Sequence, residues 1–300
     1  MSIITVAPAV PNRILLLFAS LLESESGEDK VRFEAAITPP PLRKRGKDEE
    51  DRRTSLFSSP MREARNLGLI EERGEKYFAR AGIVSAGKKS APLEDQFRQY
   101  LRQVLFDAAR AKEADQSDFA PALTWLLMQN PLSPMPFGDA PQIRMKSQIG
   151  DLTEAMSVTN INTFQNLVYW ARYLGFATLV GSTRGRFVVA DPIEAILAVL
   201  PQIFADQNEL RLHAFMAGLV AHYPVFEGGS FRQFVEEAAL PGFGRDSDQR
   251  LSISTSLALV RLEHSGVIAL TTKSDADVMI LDLGGEAPRR ISHISLVRAS

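Results

Sequence analysis

The most regular pattern in the chain is an amphipathic stretch that stops at a glycine and continues as two short β-type segments. It occurs three times, and the glycines are Gly68, Gly175 and Gly266. Counted back from each glycine, the core-facing positions step by four, three and three residues, which places them on one face of a helix. They are Phe57, Met61, Ala64 and Leu67, then Phe164, Val168, Ala171 and Leu174, and last Thr255, Leu259, Leu262 and Ser265. The third set is the weakest because it includes a threonine and a serine.

Glycine ends a helix at low cost because it adopts the left-handed conformation freely. We therefore predict a helix, a glycine stop and a β-hairpin in each copy, which is typical of a winged helix-turn-helix domain. Three unrelated helix-to-hairpin connections are the alternative, since such connections are common.

The predicted fold class is α+β, mostly α, with three tandem winged helix-turn-helix modules and additional connecting helices. Module 1 covers residues 1–90, the connecting helices and module 2 cover 91–206, and module 3 covers 207–300. Several elements are predicted with them. These are a strand or helix at 30–37, one long helix at 93–113, a helical pair at 151–157 and 160–174, a helix at 209–222, a strand at 224–229, a helix at 230–239 capped by Ser230, and an edge strand at 289–300.

Composition limits the classes of chemistry. The chain has no cysteine, which excludes disulfides, thiolate metal sites and a cysteine nucleophile. Its longest apolar run near the start, residues 14–22, is too short to span a bilayer, so we predict a cytoplasmic protein with no membrane contact. The formal net charge is −2, so any contact with nucleic acid must be local.

The central helix carries the amides and the arginine that base recognition uses. In a helix-turn-helix the second helix enters the major groove, where Asn and Gln contact adenine and Arg contacts guanine or phosphate. The candidates there are Asn160, Asn162, Thr163, Gln165, Asn166 and Arg172. Alternatively, Asn160 is only an N-cap and the others form a solvated face. Arg184 and Arg186 in the following wing are candidates for phosphate or minor-groove contact.

The other two modules supply further basic candidates. In module 1 these are Arg43, Lys44, Arg45, Arg52 and Arg53, although the acidic run at 48–51 interrupts them, so mere solvation is equally compatible. In module 3 they are Arg245 and Arg250. The third wing, residues 274–277, is acidic and would repel a phosphate backbone, so module 3 is interpreted as a protein-docking or dimerising unit.

No set of residues indicates an enzyme, a cofactor or a metal site. The four histidines lack metal-ligand spacing, and His213 and His222 are expected on or near core helix faces. The aspartate pairs Asp246/Asp248 and Asp275/Asp277 leave a metal-dependent nuclease as a weak alternative, but aspartates of this kind also form turns.

The three modules and the opening segment MSIITVAPAVPNRILLLFASLLE of this cysteine-free chain resemble the DpdG family. Those are accessory proteins of bacterial gene clusters that insert 7-deazaguanine derivatives into DNA and restrict foreign DNA. The resemblance implies a non-catalytic member of a modification and restriction, or anti-phage defence, complex. The expected partners are duplex DNA and other proteins of the complex, and a homo-oligomer is compatible with this hypothesis. The leading alternative is a scaffold of winged helices that binds proteins and not DNA.

Overall fold

The computed structural model describes residues 2–39, 49–85, 91–182, 185–205, 207–244, 247–285 and 287–297, and of residues 49–55 only the backbone. The chain is a mixed α and β protein with small sheets, as predicted. It divides into two compact units, Met1–Phe119 and Ala120–Ser300. The finer division into three modules stays a prediction.

The first compact unit contains the following helices and strands. They are α1 (Pro11–Leu22), β1 (Glu28–Asp29), α2 (Lys30–Ile37), α3 (Glu49–Asn66), β2 (Ile70–Arg73), β3 (Lys76–Ala79), α4 (Leu93–Leu105) and α5 (Ala108–Glu113). The single helix expected at 93–113 is wrong. Asp107 breaks it, because its side chain accepts hydrogen bonds from the backbone N–H groups of Ala109 and Arg110 and so caps a new helix.

The second compact unit continues from α6 (Phe119–Leu127), whose first residue is the last of the first unit. Its other elements are β4 (Met135–Pro136), α7 (Gln142–Ile149), a 3-10 helix (Gly150–Met156), α8 (Ile161–Tyr173), β5 (Ala177–Ser182), β6 (Gly185–Ala190), α9 (Ile193–Phe204), β7 (Glu209–Arg211), α10 (Leu212–His222), α11 (Ser230–Glu237), β8 (Arg250–Leu251), α12 (Ile253–His264), β9 (Ile268–Thr271), β10 (Met279–Leu281), β11 (Arg289–Ile291) and β12 (His293–Leu296).

All three predicted glycine stops are confirmed. Gly68, Gly175 and Gly266 follow α3, α8 and α12, with φ of +70°, +87° and +72°. In each copy the glycine N–H donates to the carbonyl three residues back, at 2.9–3.1 Å. The next N–H donates to the carbonyl five residues back, at 2.8–3.0 Å. This pair of bonds is the Schellman motif, which satisfies the last carbonyls of a helix.

Three of the small sheets share one strand order. They run β1-β3-β2, β4-β6-β5 and β7-β12-β9, and all of their pairings are antiparallel. In each, a short strand that follows the first helix lies beside the last strand, and the strand after the glycine lies at the other edge. We name the corresponding stretches the first segment (residues 11–79), the second segment (residues 119–190) and the third segment (residues 193–296).

The hairpins expected after the first two glycines are confirmed, and the third is wrong. β9 pairs with β12 at the end of the chain. The strands that lie between them in the sequence, β10 and β11, pair with each other, and β10 also pairs with β8 to complete a separate sheet. The tail was expected to be an edge strand, but β12 is central, because its Ile294 is buried between Leu210 and Leu270 on the neighbouring strands. Pairing between distant strands leaves no local signal in the sequence.

Other expectations for the third segment also need correction. Residues 224–229 form turns and not a strand, and β7 at Glu209–Arg211 takes the strand position ahead of the helices. Ser230 lies inside α11, and Gly229 is the N-cap residue. In the second segment α7 was not predicted, because a proline-rich loop precedes it and masks its helical pattern.

The core follows the predicted faces closely. Eleven of the twelve positions counted back from the glycines are buried, and Ser265 alone of that set is exposed. Trp125 and Trp170 are fully buried, as expected. His213 and His222 are exposed, so their expected place on a core face is wrong. Within the described ranges, no helix combines the length and apolar character needed to cross a membrane.

Candidate nucleic-acid interface

The start of α8 is fixed by a reciprocal capping arrangement. Asn160 adopts an extended conformation, and its side-chain oxygen accepts hydrogen bonds from the N–H groups of Asn162 (2.8 Å) and Thr163 (3.1 Å). The Thr163 hydroxyl oxygen in turn accepts the backbone N–H of Asn160 at 3.1 Å. Such a capping box satisfies the free donors of the first helical turn. The side-chain oxygen of Asn160 is therefore engaged within the protein.

The exposed face of α8 is narrower than the sequence suggested. Thr163 and Asn166 were expected on the exposed face, but only 6% and 3% of their surfaces are accessible. This corrects the expectation, and the reason is that α8 is buried on two sides, so that its accessible surface is a single stripe. Along that stripe lie Asn162, Gln165, Tyr169 and Arg172, spaced by three, four and three residues.

Phe137 connects this stripe to the following hairpin. Its N–H donates to the carbonyl of Arg186 at 2.8 Å, and the guanidinium of Arg186 lies over its ring, 4.7 Å from the centroid. Its carbonyl accepts from the Gln165 side chain at 3.4 Å, and its ring meets Tyr169 edge-on at 5.6 Å. The buried ring thus holds an arginine of β6 close to the helix. Phe137 was not predicted as a site residue, because it lies in a proline-rich stretch that carries no helical or strand pattern.

The described arginines of the second segment have no carboxylate partner among the residues that the structure describes. Arg172 on α8 and Arg186 on β6 are both exposed, and neither forms an ion pair with any residue in the described ranges. Arg144 and Lys146 on α7 are exposed in the same way. Residues 120–190 contain five basic and three acidic residues, whereas the whole chain has a net charge of −2. The second segment is therefore locally positive.

The arginines at the corresponding places around the first helix and hairpin each lie within 4 Å of a carboxylate. On α3, Arg62 pairs with Glu63 (3.0 Å) and Arg65 with Glu72 (2.7 Å). Around the hairpin, Glu71 faces two further arginines, Arg73 at 2.5 Å and Arg80 at 3.9 Å. Glu72 also accepts a hydrogen bond from Lys30, which lowers the pKa of Glu72 and raises that of Lys30.

In the third segment, the arginine of the helix before the glycine and that of β8 are also paired with carboxylates. Arg261 on α12 pairs with Asp191 at 2.8 Å, and Arg250, a predicted DNA contact, lies 3.3 Å from Asp282. Glu263 accepts hydrogen bonds from Arg289 at 2.6 and 3.2 Å. Those bonds lower the pKa of Glu263, and a further hydrogen bond from the Leu270 N–H acts in the same direction. Burial of the carboxyl group opposes them by raising its pKa, but it does not outweigh them. The acid therefore stays ionised and retains its arginine.

One position shows the contrast directly. The residue three places before each glycine is Arg65 in the first segment, Arg172 in the second and Glu263 in the third. The first is paired with a carboxylate, the second is unpaired among the described residues, and the third is itself a carboxylate. Only the arginine of the second segment is available for a phosphate without breaking an ion pair.

Several predicted contacts lie outside the described residues. They are Arg43, Lys44, Arg45, Arg184 and Arg245. Arg52 and Arg53 belong to α3, but only their backbone is described. Of the aspartate pairs considered for a metal, Asp246 is likewise outside. Within the described ranges no three His, Asp or Glu side chains are grouped closely enough to hold a metal ion.

A protein-family model described as DpdG-like matches residues 1–276 of the chain. Comparison with curated proteins and with solved structures finds no match.

Proposed function

The chain belongs to the DpdG-like family, and from this premise we propose that it is a non-catalytic DNA-binding protein of a bacterial DNA modification and restriction cluster. The unpaired arginines of the second segment carry this proposal. We propose further that it acts in the cytoplasm beside other proteins of the cluster. The family supports the association with DNA modification, and the charge pattern supports the contact with DNA.

Each of the three segments is proposed to be a winged helix-turn-helix module. The shared order of helix, strand, helices, glycine and two strands supports this, since it is the order in which such a module presents a recognition helix and a wing. In the third module, the wing is enlarged by the inserted strands β10 and β11.

In the second module α8 is proposed as the recognition helix and the β5–β6 hairpin as the wing. Asn162 and Gln165 stand at the start of the exposed stripe, where a helix placed in the major groove meets base edges. Arg172 and Arg186 stand farther along the helix and on the wing, and they are assigned to phosphates. Arg144 and Lys146 on the preceding helix fit contacts to the DNA backbone.

The first and third modules are proposed to bind proteins. The arginines of their recognition-type helices, Arg65 and Arg261, would have to exchange a carboxylate for a phosphate, which gives little net gain because one ion pair replaces another. This narrows the sequence-based hypothesis, in which the first module also binds DNA through its basic run.

The decisive experiment is the salt dependence of binding to duplex DNA. We expect Arg172→Ala and Arg186→Ala each to weaken binding to any sequence and to flatten the plot of log K against log salt by about 0.9 per lost phosphate contact. Arg73→Ala and Arg261→Ala remove arginines that are also exposed but ion-paired, and they are the matched controls. Both controls should bind as the wild type does.

Two results would reject the proposal. If the wild type fails to retain duplex DNA at about 50 mM salt, where electrostatic association is favoured, the chain is a protein-binding scaffold. If the controls reduce the slope as much as the two test variants, binding does not depend on the second module. DNA cleavage on addition of magnesium would instead support the nuclease alternative.

A further inference from the structure

The strand β5 is an edge strand without the usual protection. Its sequence, ATLVGS, contains no charge and no proline, and within the described ranges it pairs only with β6. Edge strands of stable proteins are normally blocked by charged residues, proline, bulges or covering side chains, because their free N–H and C=O groups attract other strands. Residues 178 and 179 of β5 are half-buried, and Val180 and Gly181 are exposed.

The corresponding edge strands of the other two segments are protected. β2 in the first segment carries Glu71, Glu72 and Arg73, and antiparallel self-pairing about residue 72 would set the Glu72 carboxylate opposite that of its own copy. β9 in the third segment is uncharged, but Glu263 covers it by accepting the backbone N–H of Leu270 at 3.2 Å. The edge strand at this position of the fold is therefore protected in the first and third segments and unprotected in the second.

The hydrogen-bond alternation identifies which groups of β5 are open. The N–H of Asp191 donates to the carbonyl of Phe176 at 3.0 Å, so the even-numbered residues of β5 bond to β6. The N–H and C=O of Leu179 therefore point away from the sheet, and no residue in the described ranges bonds to them. On the outward face Val180 lies opposite Phe187, and the two side chains are 44% and 39% accessible.

We propose that β5 pairs antiparallel with β5 of a second copy of this chain, to give a six-stranded sheet across a two-fold axis. Self-pairing fits this strand because antiparallel pairing about residue 179 or 180 brings no charges together. It also brings Val180 and Phe187 of each copy into one apolar row on the outward face. This proposal does not depend on DNA binding, since it concerns the strand edge and not the arginines.

The absence of cysteine permits a direct test on the full chain. A single Val180→Cys substitution introduces the only thiol, and in either register it lies opposite residue 178 or 180 of the other copy. Directly opposite and diagonal residues in an antiparallel pair are about 5–8 Å apart. A short thiol cross-linker should therefore produce a covalent dimer at micromolar protein. Val31→Cys, at a site that is 77% accessible in the first compact unit, controls for random collision and should not cross-link.

A second variant tests the same contact without covalent chemistry. Val180→Lys should raise the dissociation constant of the dimer by about tenfold or more in sedimentation equilibrium, because it places like charges on the two β5 strands where they pair. Val31→Lys should leave it unchanged. Both variants must retain the wild-type thermal unfolding, which exposed sites permit. In hydrogen exchange, protection of the Leu179 amide should rise with protein concentration. A wild type that is monomeric at all concentrations, or equal cross-linking at positions 31 and 180, would overturn the proposal.

Discussion

Two of the glycine stops form a matched pair for a stability test. Gly175 and Gly266 both lie in the second compact unit, both end a helix in a Schellman motif, and both have positive φ, +87° and +72°. They differ in the space around them. A Cβ added at Gly175 would lie 2.8 Å from the Cβ of Glu194 and 2.9 Å from the backbone nitrogen of Ala195, whereas one added at Gly266 meets nothing within 4 Å. Replacing each with alanine therefore separates the cost of the left-handed backbone conformation from the cost of the steric clash.

The expected magnitudes follow from these two terms. An alanine forced to positive φ lowers the free energy of unfolding by about 1 kcal/mol, and this cost applies at both sites. At Gly175 the start of α9 must also move, and overpacking of this kind costs about 1–3 kcal/mol. That movement would strain the hydrogen bond from the Ala195 N–H to the Gly175 carbonyl, now 3.0 Å. We therefore expect the free energy of unfolding to fall by about 1 kcal/mol in Gly266→Ala and by about 2–4 kcal/mol in Gly175→Ala.

Urea unfolding followed by fluorescence of Trp125 and Trp170 measures both variants in one transition, because both tryptophans belong to the same compact unit as the two glycines. The slope of the transition should be unchanged, so that the midpoints report stability alone. Equal losses of unfolding free energy at the two sites would refute the expected clash between a Cβ at position 175 and the start of α9. A loss at neither site would refute the assignment of a left-handed conformation.

Three further predictions concern charge and the ring of Phe137. Phe137→Leu keeps an apolar side chain but removes the ring face under Arg186, so DNA affinity should fall about two- to fivefold, as expected for one cation–π contact, with near-native thermal unfolding. Glu263→Gln should cost about 0.5–1 kcal/mol at pH 7, discounted for the partial exposure of the ion pair. Because the folded state lowers the pKa of Glu263 from its usual 4.5, its stabilisation is present above pH 4.5 and is lost as the pH falls through the lowered pKa. The difference in unfolding free energy between wild type and variant should therefore shrink as denaturant titrations move below pH 4.5. Changing Asp275 and Asp277 to Asn should not weaken retention on DNA, and weaker retention would favour a metal site.

The sequence predicted best what is decided locally. The glycine stops and the apolar positions before them depend on helical periodicity within about four turns, and all but Ser265 of those positions are buried. The partner of β9 could not be predicted, because β12 lies some 20 residues beyond it and any short strand between them was an equal candidate. The burial of Asn166 was missed for a related reason. An amide on a helix suggests a solvated face, and only the packing of neighbouring elements shows that α8 has two buried sides.

Ion pairing, and not the number of basic residues, distinguishes the three segments. A count of arginines favours the first segment, which carries Arg62, Arg65 and Arg73 around its helix and hairpin, with Arg80 directly after it, and each of the four lies within 4 Å of a carboxylate. An arginine so placed must give up one anion to take another, so its gain from DNA is small and falls further with salt. Arg172 and Arg186 of the second segment have no such competitor in the described ranges. Some of these pairs join different elements, as Arg65 on α3 and Glu72 on β2 do, so that their formation is a property of the fold. The same backbone can therefore present a phosphate-binding surface in one segment and a neutral surface in the others through a few substitutions, with the helix, the glycine and the sheet order unchanged.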